Sequence, residues 1–150
     1  MRAVIQRVSM ASVVVADKQI SEIGCGLVIF LGVFHNDGMQ DVKYLIQKTA
    51  GLRIFNDNNN NMNLSIQDIN ASILVISQFT LCANTQKGRR PSFFNAAKPR
   101  VAKTMYENYC TGLKQIGISI VERGQFGAAM QVQLNNEGPV TIVLDSKLNK

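Results

Sequence analysis

The stretch CGLVIFLGVFHNDGMQDVKYLIQKTAGL, residues 25 to 52, decides how the chain is read. Its first part, Leu27 to Phe34, is an apolar run of strand length, with Gly26 before it and Gly32 inside it. A short apolar run punctuated by glycine fits a strand buried on both faces better than a helix. Four turn-forming residues follow, His35-Asn36-Asp37-Gly38. Beyond them Val42, Leu45, Ile46 and Leu52 recur at helical spacing, which predicts a helix over about 39–52 with Asp37 as its N-cap. A buried strand leading into an amphipathic helix points to a domain that mixes the two element types.

Toward the N-terminus, residues 1–15 are rich in Val, Ile and Ser; Ala16 to Gln19 break the pattern and Ile20 to Ile23 resume it, which predicts a hairpin. Toward the C-terminus, Asn56 to Asn63 includes four consecutive asparagines, Asn58 to Asn61, and reads as a surface loop without a function. Ile73 to Leu81 is strand-like and feeds a basic loop around Lys87 to Pro91. Val101, Ala102, Met105, Tyr106, Tyr109, Leu113 and Ile116 then predict a second helix, started near Asn95 and Pro99 and stopped near Gly117. Finally Met130 to Leu134 and Val140 to Leu144 alternate around Asn135 to Pro139, read as strand, turn, strand. No linker or repeat divides the chain. The expectation is one α/β domain spanning 1–150, with mostly antiparallel sheets and two principal helices.

Composition removes several function classes. At 150 residues, 46% hydrophobic and 17% charged, the chain supports one core without a metal or disulfide staple. Its longest apolar stretch, Leu27 to Phe34, is far shorter than the ~20 residues of a bilayer crossing, and the first residues lack an apolar signal core. No membrane association and a cytoplasmic location are therefore expected. Cys25, Cys82 and Cys110 form no CxxC pair and read as free thiols. With His35 the only histidine, neither a zinc site nor any cofactor is expected. A Ser or Cys triad would have to use His35, which reads as a turn residue, while Cys82 reads as a small buried hydrophobe. No GxxxxGK[ST], GxGxxG, GxSxG or HExxH occurs. Catalysis must then rest on backbone dipoles, hydroxyls or the substrate itself.

The net charge of +6 is concentrated. Between Asp68 and Glu107 there is no acidic residue, while Lys87, Arg89, Arg90, Lys98, Arg100 and Lys103 all lie there. Beside Phe93 and Phe94, this window suits a polyanion with unpaired bases; the alternative is a solvated loop and the outer face of a helix. Two further segments place polar groups among apolar strands. In Ser77-Gln78-Phe79-Thr80 the hydroxyls and amide either satisfy local backbone or carry chemistry. In Asn136-Glu137-Gly138-Pro139-Val140-Thr141 the Gly-Pro pair either makes a plain hairpin turn or presents carbonyls outward.

Ser77-Gln78-Phe79-Thr80-Leu81 resembles the SQFTL motif, and Asn136 to Thr141 the NxGPVT motif, of the bacterial-type D-aminoacyl-tRNA deacylase family. The resemblance extends through Met1 to Ser9, Leu52 to Phe55, Met62 to Ser65, Lys87 to Phe93 and Gly124 to Met130, nearly the whole chain. It implies a homodimer with active sites at the subunit interface, hydrolysing the ester between a D-amino acid, or glycine, and the 3′-terminal adenosine of tRNA. It further implies a cis Gly138-Pro139 bond reaching into the other subunit's site, and Arg7 as the residue holding that segment. Phe126 and Met130 match residues near the terminal adenosine, and Lys87, Arg89 and Arg90 become phosphate contacts. On this reading the carbonyls of Gly138 and Pro139 hold the substrate's α-ammonium and exclude an L side chain, while glycine passes. Amides near Phe79 and Thr80 stabilise the oxyanion, and water attacks with help from the ribose 2′-OH, oriented by Thr80. The competing reading is a nucleic-acid-binding dimer without hydrolytic activity.

Overall fold

The computed structural model describes residues 1–148. Strand β1 (Arg2–Val15) turns through Ala16 and Asp17, both at positive φ, into β2 (Lys18–Ile23), so the predicted hairpin forms with a tighter turn. The apolar run that begins at Leu27 forms β3 (Gly26–Gly32), and α1 (Met39–Gly51) follows it. A two-stranded hairpin, β4 (Phe55–Asn56) and β5 (Met62–Leu64), leads to β6 (Ser72–Ser77). A 3-10 turn (Phe79–Cys82), α2 (Pro99–Gln115), β7 (Val121–Arg123) and β8 (Gln131–Asp145) complete the chain.

The main sheet is mixed. β1 pairs antiparallel with β2, β3 and β8, whereas β3–β6 and β6–β7 are parallel, each reached through a helical crossover. β3 is covered on both faces, which explains its continuous apolar run. Leu27, Ile29 and Leu31 pack toward α1 and α2 with Val42, Leu45, Tyr109 and Leu113; Val28 packs on the opposite face with Leu74 and Ile76. That second face is covered by Val8, Ala11 and Val13 of β1, Ile23 of β2, and the partly buried Val132 and Leu134 of β8. The β1–β8 ribbon thus wraps over the sheet that its other half belongs to.

Three local expectations are corrected by tertiary partners, while the asparagine surface loop forms as expected with strand residues at its two ends. The N-cap of α1 is Gly38, not Asp37. Asp37 is engaged elsewhere: its carboxylate accepts from the Met1 ammonium at 2.6 Å and from the Phe34 amide at 2.7 Å, while Asp41 reaches back to the Gly38 amide at 2.9 Å. The asparagine loop is the tip of the β4–β5 hairpin, organised by Asp57, which accepts the amides of Asn59 and Asn61. The strand expected to reach Leu81 ends at Ser77. Finally, β8 is one strand paired to β1 from end to end, not strand, turn, strand. β1 is the nearer partner for both halves of β8, so Asn135 to Pro139 cannot fold back on itself.

Candidate active site

β3 and β6 run parallel, so their C-terminal ends share one edge of the sheet, and there the chain breaks out of strand geometry. Gln78 donates its amide to Leu31 O at 2.8 Å, and Leu81 closes back onto Gln78 O at 3.3 Å. Gly32 makes this possible: a Cβ there would come within 2.9 Å of the Leu81 Cβ and 3.2 Å of Gln78 O. Arg2 secures the far side of the turn, donating to Leu81 O at 3.2 Å and to Asp145 through two nitrogens at 2.9 and 3.0 Å. The backbone amides that open a helical turn have no partner inside it. Phe79 and Thr80 stand at that position, so the amides expected at a strand end lie instead at the start of a 3-10 turn.

Beside the turn lies a cleft of about 660 Å³, a volume suited to a small organic group. Ser77, Gln78, Phe79, Phe93, Phe126 and Met130 line it, with the small Ala96 and Ala97. Phe79 and Phe93 meet edge to face with ring centres 5.0 Å apart. Phe79 is nonetheless more than half exposed, leaving an aromatic surface open to a ligand. Tyr106 buttresses the base, its hydroxyl donating to Val75 O at 2.9 Å and its ring 6.0 Å from Phe126. Burial raises the Tyr106 phenol well above its ordinary value, with Cys110 adding to the effect, so it stays a neutral donor.

Thr80 sits on the exposed side of the turn and does not itself line the cleft. Its hydroxyl oxygen accepts from Gln78 Nε2 at 2.5 Å. An amide is no general base, so this neighbour positions the hydroxyl without activating it. His35 occupies a turn, its Nδ1 3.2 Å from Asn95 O, as a structural histidine would. Cys82 is buried, 3.3 Å from Val33 O. Burial, reinforced by Asp37, pushes its thiol up to about 11, which removes it as a nucleophile at neutral pH.

The second motif lies elsewhere. Gln6 pairs with Thr141 and Val8 with Asn136, so the single residue Arg7 of β1 faces the four residues Glu137 to Val140 of β8. The surplus is extruded as a loop, with a cis Gly138-Pro139 bond and Gly138 at φ 117°. Arg7, almost fully buried, grips it: Nε donates to Glu137 O at 3.3 Å and Nη1 to Ile54 O at 2.6 Å. A Cβ on Gly138 would lie 2.8 Å from Arg7 Nη2, so the guanidinium packs directly against the glycine. Neither Gly138 nor Pro139 lines the cleft. The loop projects from β8, whose other edge pairs with no strand among the described residues.

Lys87, Arg89 and Arg90 lie exposed on the loop between Asn84 and Ser92, which are joined by backbone hydrogen bonds of 2.8 and 2.9 Å. That loop returns directly into Phe93, which lines the cleft. Sequence reading missed Lys98, Ala96 and Ala97 as cleft residues. The available signal was the pair of small residues before the Pro99 helix start, which leaves room where larger side chains would fill it.

Residues 4–145 match the family model described as D-Tyr-tRNA(Tyr) deacylase. The D-aminoacyl-tRNA deacylase of Thermosipho africanus (strain TCF52B) is 51% identical over 147 residues, covering 98% of each chain. That of Clostridioides difficile (strain 630) is 51% identical over 146 residues, covering 97% of each. Among solved structures, one named c-Myc DNA Unwinding Element Binding Protein superposes with a TM-score of 0.92 at 37% identity, covering 97% of this chain and 98% of that one.

Proposed function

The chain belongs to the D-Tyr-tRNA(Tyr) deacylase family, and from that premise we propose how one molecule divides the hydrolysis of D-aminoacyl-tRNA between two copies of itself. The observation that carries this reading is the separation of the two motifs. The cleft beside Ser77 to Phe79 is built from the chain's own β3, β6 and the segment before α2, yet Gly138 and Pro139 do not line it and belong to β8, whose other edge pairs with no strand among the described residues. An edge strand of 15 residues is a standing invitation to pair with another chain. A homodimer formed along it brings each loop to the partner's cleft.

In that assembly the terminal adenosine lies against Phe126 and Met130, and Phe79 supports the scissile ester. The carbonyls of Gly138 and Pro139 accept from the α-ammonium and occupy the space an L side chain requires. Glycine, with no side chain, is also cleaved. The opening amides of the 3-10 turn stabilise the tetrahedral oxyanion. Water attacks with the ribose 2′-OH assisting, and Thr80 orients, since its Gln78 partner cannot take a proton. Lys87, Arg89 and Arg90 contact phosphates of the acceptor end. The reaction is placed in the cytoplasm, where charged tRNA is found.

Deacylation of matched D- and L-tyrosyl-tRNA by the purified protein, run beside a gel-retardation assay, tests the reading. Release of D-tyrosine with L-tyrosyl-tRNA spared is the expected result. Retardation of both tRNAs without release would replace it with the binding-only reading that the basic window also allows.

A further inference from the structure

The extruded loop of β8 is held at its base as well as by Arg7, and the hold is a chain of side chains. Opening a gap of four residues against one strips ladder partners from the carbonyls on either rim. Asn136 spans that gap. Its Nδ2 donates to Arg7 O at 3.0 Å and to Val140 O at 2.9 Å, one hydrogen to each rim. With both donors committed, Oδ1 must face the other way, and there it meets Thr141 Oγ1 at 3.4 Å. The Thr141 hydroxyl donates to Asn136 and accepts from Gln6 Nε2 at 3.1 Å. Gln6 and Thr141 are themselves the register pair that closes the ladder beyond the loop.

We infer that Gln6, Thr141 and Asn136 are positioning residues for chiral discrimination: their hydrogen-bond relay pins the base of the Glu137–Val140 loop and so fixes where the Gly138 and Pro139 carbonyls stand. The inference rests on the proposed role of that loop as the partner's filter. Each group has one satisfiable orientation. The amide can bridge two carbonyls only as a double donor, and the threonine hydroxyl, accepting from Gln6 Nε2, keeps its single hydrogen for Asn136 Oδ1. Arg7 holds the loop from one side, which still lets it pivot about the Glu137 contact. The relay removes that freedom, because Val140 and Arg7 are tied to the same amide. A filter that works by clash needs its wall fixed to within about half an ångström.

The test compares Asn136→Asp, Thr141→Val and Thr141→Ser with Pro139→Ala, measuring kcat/KM on D- and L-tyrosyl-tRNA and the melting temperature of each variant. Asn136→Asp sets an acceptor against two carbonyls, and Thr141→Val breaks the relay while keeping the side chain's shape. Both are expected to lower the D-over-L ratio by about tenfold, the effect of one or two lost hydrogen bonds at the filter. Thr141→Ser, which keeps the hydroxyl, restores the ratio even though the lost methyl lowers the melting temperature. A ratio that merely follows melting temperature across the three overturns the inference in favour of simple stability. If Pro139→Ala relaxes discrimination while Asn136→Asp and Thr141→Val do not, the relay is wrong and the filter stands. If Pro139→Ala also leaves the ratio unchanged, the filter reading itself fails and the relay falls with it. Should Asn136→Asp not fold, the Thr141 pair decides alone.

Discussion

The cleft and the β8 loop are built by opposite means. The cleft is a packing product: Phe79 against Phe93, Phe126 against Tyr106, and a glycine where the 3-10 turn crosses β3. Its shape follows from the same burial that folds the domain. The loop, anchored on the core through Val140, is positioned by directed hydrogen bonds from Arg7 and Asn136. Packing tolerates substitution by graded relaxation, whereas a hydrogen-bonded projection with one allowed backbone conformation does not. One half of the site should therefore lose function gradually under mutation and the other abruptly.

The largest effect is expected at Gly138. Alanine there meets Arg7 Nη2 at 2.8 Å and the Val140 Cγ2 at 2.9 Å, at a φ of 117° that L residues rarely adopt. Backbone strain of order 1–3 kcal/mol, spent in moving the carbonyls, corresponds to a loss of up to about 100-fold in D-tyrosyl-tRNA turnover. Because the loop acts on the partner, Gly138→Ala mixed and refolded with a chain carrying Phe79→Asp should regain part of the activity, since one heterodimer site then has an intact cleft and an intact loop. No recovery on mixing, with light scattering showing the mixed dimers, breaks the contrast by returning the loop to its own subunit.

A smaller effect is expected at the basic loop, which belongs to neither half. Replacing Lys87, Arg89 and Arg90 together by alanine should weaken tRNA binding and reduce the slope of log affinity against log salt by about two, three single-strand phosphate contacts being lost. Discrimination between D and L substrates should not move. An unchanged slope removes these residues from the phosphate contacts.

Thr80→Ala sharpens the comparison on the cleft side. The hydroxyl is one oriented group next to water and main-chain donors that remain, so its loss should cost on the order of 0.5–1.5 kcal/mol, about tenfold in rate at most. A folded, tRNA-binding but inert Thr80→Ala protein, or a trapped acyl-threonine, would make Thr80 the nucleophile. A tRNA ending in 2′-deoxyadenosine should be the poorer substrate on the mechanism given above.

How much of this was legible in the sequence divides along the same line. β3, α1 and α2 could be read because apolar periodicity is local, and the polar insert Ser77 to Thr80 stood out against the run that carries it. The turn into 3-10 geometry could not be read, because it depends on the space above Gly32, a residue of a different strand. The β8 segment was misread for a related reason. Asn-Asn-Glu-Gly-Pro has the composition of a hairpin turn, and only pairing with β1, from the opposite end of the chain, turns it into a bulge in one strand. Asn136 reads as a turn former and Thr141 as an ordinary strand residue until their partners in β1 are known. Propensity is local, whereas register is set by tertiary partners.

The smallest effect on turnover is expected from the thiols, and it tests whether anything in the cleft half depends on a titrating nucleophile. Cys82 and Cys110 are each 1% exposed, and burial pushes both thiols up to about 11. Iodoacetamide at pH 8 should then add to the exposed Cys25 alone, seen as one adduct per chain by mass spectrometry, with deacylation unchanged. Loss of activity in step with Cys82 modification would overturn the main-chain mechanism. The same thiols set a direction for stability. In the unfolded chain they ionise near 9, in the folded chain near 11, so folding holds protons that the unfolded state has released. Their stabilising contribution is complete below pH 9 and is lost as pH rises through 9 toward 11, at a slope that steepens as each unfolded thiol deprotonates. A melting temperature that falls over that interval, with Cys82→Ala and Cys110→Ala each flattening the fall, is the expected outcome. A flat profile between pH 9 and 11 would mean that the thiols meet water in the folded protein, and the packed side of the site would then be looser than its burial implies.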